Sequence, residues 1–230
     1  MFLIFLECIF LLSLQPYSCK KSVSGFTKVG NLKLSPIGCG TWAWGNRFLW
    51  GYQEEDDIEL RKAFKYITSN GVNWFDTADS YGTGSLSGRS EKLLGIFLNE
   101  TQLKVRPNIY MCTKLAPYPW RIGPSSMINA CLSSKERLGR SLDMLQLHWP
   151  PSLGWQEKEY LSAFSYAIKE KLANQIGVSN YGPQGLSRVS KVLESNGNKL
   201  YSNQVRRPST FASLSHSMST HSLHRSNFRC

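Results

Sequence analysis

Short strand-like runs alternate with helix-length amphipathic segments along this chain, and that alternation constrains its fold more than any other feature. The strand-like runs lie at 37–42, 73–77, 109–114, 143–148, 175–179 and 200–205. Helix-like runs lie between them at 55–69, 90–100, 125–138, 156–171 and 183–195. Successive strand starts advance by about 25–37 residues, the length of a βα unit with short loops. Six such units in sequence predict a parallel sheet, and a doubly wound sheet and a (β/α)8 barrel both fit the alternation.

The helices carry their own signals. Ile58, Leu60, Ala63, Phe64 and Ile67 keep helical spacing, and the run ends at Asn70-Gly71, a C-cap pair. Ser90-Glu91 opens the next, with Leu93, Leu94, Ile96, Phe97 and Leu98 behind it. Pro183 after Gly182 suits a first helical turn. Residues 22–34 read as a small hairpin ahead of the first unit, a plug under a barrel.

The 230 residues suit one large α/β domain or two small ones, and they suffice to bury most of the apolar surface. A net charge of +11 points to nucleic acid only where it is concentrated. Arg206, Arg207, Arg225 and Arg229 sit in a tail without acids, and the remainder is spread without a basic stripe. No nucleic-acid partner is expected. Among the six cysteines, Cys39 and Cys112 fall in predicted buried strands and no metal-ligand spacing occurs, which reads as a reduced, intracellular chain without a metal. Residues 1–21 read as a separate leader. Phe2–Leu14 is apolar enough for a signal or anchor, the one route to a membrane, although no positive charge precedes it. Residues 206–230, with seven Ser, four Arg, three His and no acid, predict an unstructured tail.

Three strand-like runs end on one ionisable residue each. Asn73-Trp-Phe stops at Asp76, with Tyr81 five residues on; Ile109–Thr113 stops at Lys114; Met144–Leu147 stops at His148. Each has a plain alternative: Asp as a helix cap, Lys reaching to water, Tyr as loop packing. All four at the same end of successive strands make the shared reading an active face. A free tyrosine titrates near pH 10, so to act as an acid at neutral pH it needs a neighbouring cation that favours phenolate. Lys114 supplies that cation, Asp76 holds it, and His148 orients a carbonyl that receives hydride at carbon.

Ser179-Asn180 and Gln204 also close strands, and their groups suit a carboxamide such as that of nicotinamide. Gly82-Thr-Gly84-Ser-Leu-Ser-Gly88 departs from the dinucleotide spacing and reads as a βα loop. Trp42, Trp44, Phe48, Trp50, Tyr52, Tyr118 and Trp120 are candidates for a pocket wall or for packing.

Over residues 28–205 the chain resembles an aldo-keto reductase. The likeness rests on Gly38-Cys-Gly-Thr-Trp42, Asp76-Thr-Ala-Asp-Ser-Tyr81-Gly82, Ser90-Glu91-Lys-Leu-Leu-Gly95, Cys112-Thr-Lys114, Leu145-Gln-Leu-His148, Gly177-Val-Ser-Asn180 and Asn203-Gln204-Val205, in the family's order. Thr41–Gly45 and Trp50-Gly-Tyr52 look like the plant and algal plastid branch. The resemblance implies a (β/α)8 TIM-type barrel and NADPH-dependent reduction of a small aldehyde or ketone. It makes Tyr81 the general acid, tuned by Lys114 and Asp76, with His148 placing the carbonyl. Ser179, Asn180, Gln204, Thr41 and Trp42 become cofactor contacts. About six βα units are present, and nothing in 206–230 matches the family's last two. The reading is therefore an incomplete, C-terminally truncated barrel whose turnover is in question and whose open edges invite self-association. Potassium-channel β subunits share the likeness and offer a non-catalytic, regulatory alternative. Plastid or cytosol is the expected compartment, with a secretory route if residues 2–14 act as a signal.

Overall fold

The computed structural model describes residues 25–102 and 105–205, so the expected leader and tail lie outside the described residues. A two-stranded antiparallel hairpin comes first, β1 (Thr27–Val29) and β2 (Leu32–Leu34). Six parallel strands follow in simple sequence order: β3 (Cys39–Gly40), β4 (Trp74–Asp76), β5 (Tyr110–Leu115), β6 (Met144–Leu147), β7 (Ile176–Ser179) and β8 (Leu200–Gln204). The helices are α1 (Arg47–Trp50), α2 (Asp57–Ser69), α3 (Arg89–Asn99), α4 (Gly123–Leu138), α5 (Gly154–Lys169) and α6 (Pro183–Ser195).

Neighbouring strands lie about 4.8 Å apart, so a flat sheet would separate β4 from β8 by about 19 Å. Instead, Gln204 Nε2 reaches Asp76 Oδ2 at 3.0 Å. The sheet is therefore curled, an incomplete (β/α)8 barrel rather than a doubly wound sheet. β4, β6 and β7 are buried at every residue, as strands covered on both faces must be. Outside the sheet, the helix layer buries Phe64 stacked on Phe75 at 4.7 Å, with Trp44 against Phe97 at 6.0 Å. Inside, the hairpin plugs the bottom: Val29, Leu32 and Leu34 pack on Trp74, Cys112 and Met144. Gln175 Nε2 ties β1 down by donating to Val29 O at 2.9 Å.

Element ends follow local chemistry. Gln53 and Asp56 form a reciprocal capping box just ahead of α2. Pro124 and Pro183 sit in the first turns of α4 and α6, and Gly139 closes α4 at φ +69°, a left-handed conformation that favours glycine. β3 is only two residues long and lies at one edge of the sheet, so Cys39 is half-buried rather than enclosed as its apolar surroundings in the sequence suggest. Among the described residues, no helix is long and apolar enough to cross a membrane.

Candidate active site

β4 and the turn after it organise the C-terminal mouth of the sheet. Thr77 N donates to Cys112 O at 2.9 Å, and Asp79 N donates to Lys114 O at 2.9 Å, so the turn runs alongside the end of β5. This brings Asp76 to Lys114, whose ammonium lies 2.6 Å from Asp76 Oδ1 and 3.0 Å from Thr77 O. Both side chains are buried, Lys114 to 2% exposure. A buried ion pair is tolerable only when its remaining hydrogen-bonding capacity is used. Gln204 Nε2, on Asp76 Oδ2, helps to meet that demand.

Tyr81 sits at the end of the same turn, its N–H on Ala78 O at 3.1 Å. The Lys114 ammonium lies 5.0 Å from its ring centre, and the His148 ring meets it edge-on at 5.7 Å. His148 is fixed through its backbone, with N–H on Leu115 O at 3.0 Å, and Ser80 Oγ stands 3.5 Å from Nδ1. Burial, and secondarily the Lys114 charge, pushes the His148 pKa down to about 3. Its imidazole is therefore neutral at physiological pH and keeps one N–H to donate.

The carboxamide-bearing residues close the mouth on the far side. Asn180 adopts the left-handed conformation at φ +63°. It donates through Nδ2 to His148 O at 3.2 Å and to Ser179 Oγ at 3.1 Å, bridging the ends of β6 and β7. Gln204 Oε1 is buried and has no hydrogen-bond partner among the described residues. A buried amide oxygen without a donor is costly, so it marks a place where a ligand N–H fits. Trp42 is 39% exposed and packs edge-on against Trp50 at 6.0 Å.

Thr41 is placed differently. It is fully buried, and its hydroxyl is engaged by Asp76 O at 2.9 Å and Ser90 Oγ at 2.6 Å, which leaves it no face for a ligand. Ser90, which the sequence suggests as a cap, lies inside α3 and also meets Thr77 Oγ1 at 3.0 Å. Together the three hydroxyls tie β3, β4 and α3 behind Asp76. The aromatic candidates divide in the same way: Trp44 and Tyr52 are core, whereas Phe48 and Trp120 are exposed. Two functional candidates carry no local signal in the sequence. Asp79 and Arg121 pair at 2.6 Å across 42 positions, and only the fold brings them together.

A proton donor, a buried cation beside it and a neutral imidazole at one strand-end face are equipped to protonate a carbonyl oxygen. The aldo/keto reductase family matches residues 36–208. This chain belongs to that family. It is 46% identical over 186 residues to the Arabidopsis thaliana protein named pyridoxal reductase, chloroplastic, covering 78% of this chain and 50% of that protein. An aldo-keto reductase of Mycobacterium ulcerans is 30% identical over 138 residues, covering 58% of this chain and 44% of the relative. The chain thus spans about half the length of the curated relatives it matches. Among solved structures, a thermostable aldo-keto reductase bound to the inhibitor epalrestat superimposes with a TM-score of 0.67 over 80% of this chain and 63% of that one, at 22% identity. An aldo/keto reductase from Klebsiella pneumoniae in complex with NADP and acetate gives 0.60 over 75% of this chain and 54% of that one, at 26% identity. Among the described residues, no group of His, Cys, Asp and Glu is arranged to hold a metal ion.

Proposed function

We propose that this chain reduces an aldehyde or ketone with NADPH, using Tyr81 as the general acid. The observation that carries the reading is the Lys114 ammonium, 2.6 Å from Asp76 and 5.0 Å from the Tyr81 ring on adjoining strand ends. That charge favours the phenolate that remains after Tyr81 gives its proton to the carbonyl oxygen. Neutral His148 donates a hydrogen bond to the same oxygen and sets the angle at which the carbonyl sits. NADPH, when bound, supplies the hydride to the carbonyl carbon. The unmatched Gln204 Oε1, with Ser179 and Asn180 beside it, suits the carboxamide of nicotinamide. Relatives solved with NADP and NADPH support that cofactor. Trp42 flanks the mouth of the sheet as a further contact.

Pyridoxal is the first substrate to test and the plastid the first compartment, on the strength of the relative that is 46% identical. Loss of NADPH absorbance on adding pyridoxal to the full chain tests the activity. In Tyr81→Phe the rate should fall by about 10²–10⁴, the usual contribution of a positioned acid, with NADPH binding retained. An undiminished rate in Tyr81→Phe would overturn the assignment. NADPH binding without turnover of any carbonyl would favour the non-catalytic reading instead.

A further inference from the structure

The loop between β5 and α4, residues 116–122, is held by one buried carboxylate from the neighbouring turn. Asp79 Oδ1 accepts from Ala116 N at 3.1 Å, and Oδ2 lies 2.6 Å from Arg121 Nη1. The same nitrogen carries two N–H groups and also donates to Ala116 O at 2.7 Å, so Arg121 holds the Asp79 carboxylate and the loop backbone together. Tyr160 of α5 secures the other side, donating through its hydroxyl to Arg121 O at 2.5 Å. Burial, the largest influence, raises the pKa of the Asp79 carboxyl, and Arg121 acts against it. Each member of the pair therefore needs the other.

The fixed loop delivers rings to the active site. The Arg121 guanidinium lies 5.2 Å from the Tyr118 ring centre, and Trp120 stacks on Tyr118 at 4.5 Å with an interplanar angle of 8°. Tyr118 meets Trp149 edge-on at 6.1 Å, and Trp149 lies 4.6 Å from His148. The rings thus run without a break from Trp120 to Tyr81. Trp120 is 71% exposed and stands at the outer end of this ring series, where a large apolar face left open is one that a flat ligand can cover.

We propose that Asp79 and Arg121 are positioning residues: they lock the loop so that Tyr118 and Trp120 form a wall selecting planar aromatic aldehydes over small aliphatic ones. This rests on the carbonyl reduction proposed above. Asp79 lies three residues after Asp76 and two before Tyr81, so one turn sets both the acid and the wall. Arginine is needed rather than any cation, because one planar group must meet a carboxylate, a carbonyl and a ring at once.

The test compares pyridine-3-carboxaldehyde with propanal, each with saturating NADPH, in the full chain and in Arg121→Lys, Arg121→Met and Trp120→Leu. The ratio of kcat/KM for the aromatic to that for the aliphatic aldehyde should fall roughly two- to tenfold in Arg121→Met and Trp120→Leu, the worth of one aromatic contact. Arg121→Lys should show part of that fall, carried by KM rather than kcat. General damage to the fold lowers both aldehydes together and leaves the ratio in place, and an unchanged ratio would overturn the proposal. If the parent chain reduces neither aldehyde, the activity proposed above fails, and the wall is judged by binding alone. Quenching of tryptophan fluorescence by pyridine-3-carboxaldehyde should then weaken in both Arg121→Met and Trp120→Leu; equal quenching in parent and Arg121→Met would sink it. Where Arg121→Met does not fold, Arg121→Lys and Trp120→Leu decide.

Discussion

Asp76 divides its carboxylate between two donors, giving Oδ1 to the Lys114 ammonium at 2.6 Å and Oδ2 to the Gln204 amide at 3.0 Å. An asparagine does not replace it. One of its two terminal atoms is an NH2, so it meets both partners only if the Gln204 amide turns over, and it brings the buried Lys114 no counter-charge. Asp76→Asn should therefore lower turnover by about 10²-fold or more, the scale of losing general acid catalysis. It should also cost about 3–5 kcal/mol of stability, because Lys114 is left buried without a counter-charge. Gln204→Leu leaves the ion pair in place and should cost only about 1 kcal/mol, the net worth of one hydrogen bond. Urea unfolding and NADPH oxidation on the same preparations check the pair of outcomes. Equal losses in the two variants would show that the shared carboxylate is not the organising contact.

His148 gives a pH dependence whose sign can be worked out. Its pKa is pushed down to about 3 in the folded chain, by burial first and the Lys114 charge second. An unfolded histidine titrates near 6.5. Between those values the unfolded state binds the extra proton, so this group's contribution to stability is complete above about pH 6.5 and is lost as pH falls. The slope is at most about 1.4 kcal/mol per pH unit. The difference in stability between the parent chain and His148→Gln should therefore shrink on going from pH 7 to pH 5. Taking the difference removes Asp79, Glu91 and Asp143, whose raised carboxyl pKa values act with the opposite sign. A difference that is flat in pH would mean that His148 takes up its proton as readily in the native chain as in the unfolded one.

Much of this architecture was legible because it is written locally. Three strand ends show in the sequence as apolar runs stopping at Asp76, Lys114 or His148, two more as runs closing on the hydroxyl of Ser179 or the amide of Gln204, and the curled parallel sheet places all five at one mouth. Other features were hidden because they depend on partners distant in sequence. Arg121 looks like any loop arginine until Asp79 is brought to it. Ser90 has the residue type of a cap, yet tertiary packing turns its hydroxyl toward Thr41 and Thr77. α1, four residues between Gly45 and Gly51, is too short for any periodicity to appear. It exists because Asn46 Oδ1 accepts from Leu49 N at 3.0 Å and Gly51 closes it at φ +65°.

Gly177 in β7 is a glycine for reasons of space. A Cβ there would collide with Ser202 Oγ and approach Gln146 Cγ to 3.0 Å. Both side chains point into the sheet's concave interior below the Asp76–Gln204 contact, together with Met144 and Cys112. Gly177→Ala should cost about 1–3 kcal/mol through overpacking. It should also weaken NADPH binding, because displacing Ser202 shifts β8 two residues before Gln204. Ser202→Ala on the same background should recover part of both losses, read by urea midpoint and cofactor fluorescence. An absence of recovery would place the strain elsewhere.

The seam between α3 and α4 couples a buried charge to a close backbone approach, and this coupling has a measurable sign. Glu91 is fully buried, takes a short hydrogen bond from Thr113 on β5, and receives Arg137 Nε at 2.7 Å. One helical turn on, Gly95 lies so near the Arg137 carbonyl that a Cβ would overlap it. Arg137→Met removes the cation and leaves a carboxyl whose pKa burial already raises. The folded variant then keeps a proton that the unfolded chain releases near pH 4.3, so its stability falls as pH rises. Arg137→Met should cost about 3–5 kcal/mol at pH 8 and visibly less at pH 5, whereas Glu91→Gln should cost less at pH 8 and show a smaller pH dependence. Gly95→Ala pushes the Arg137 backbone away and should break the same pair by geometry. Combined with Arg137→Met it should therefore cost less than the sum of the two single changes, by about 0.5–3 kcal/mol. Strict additivity in urea unfolding would show that the glycine and the ion pair act independently.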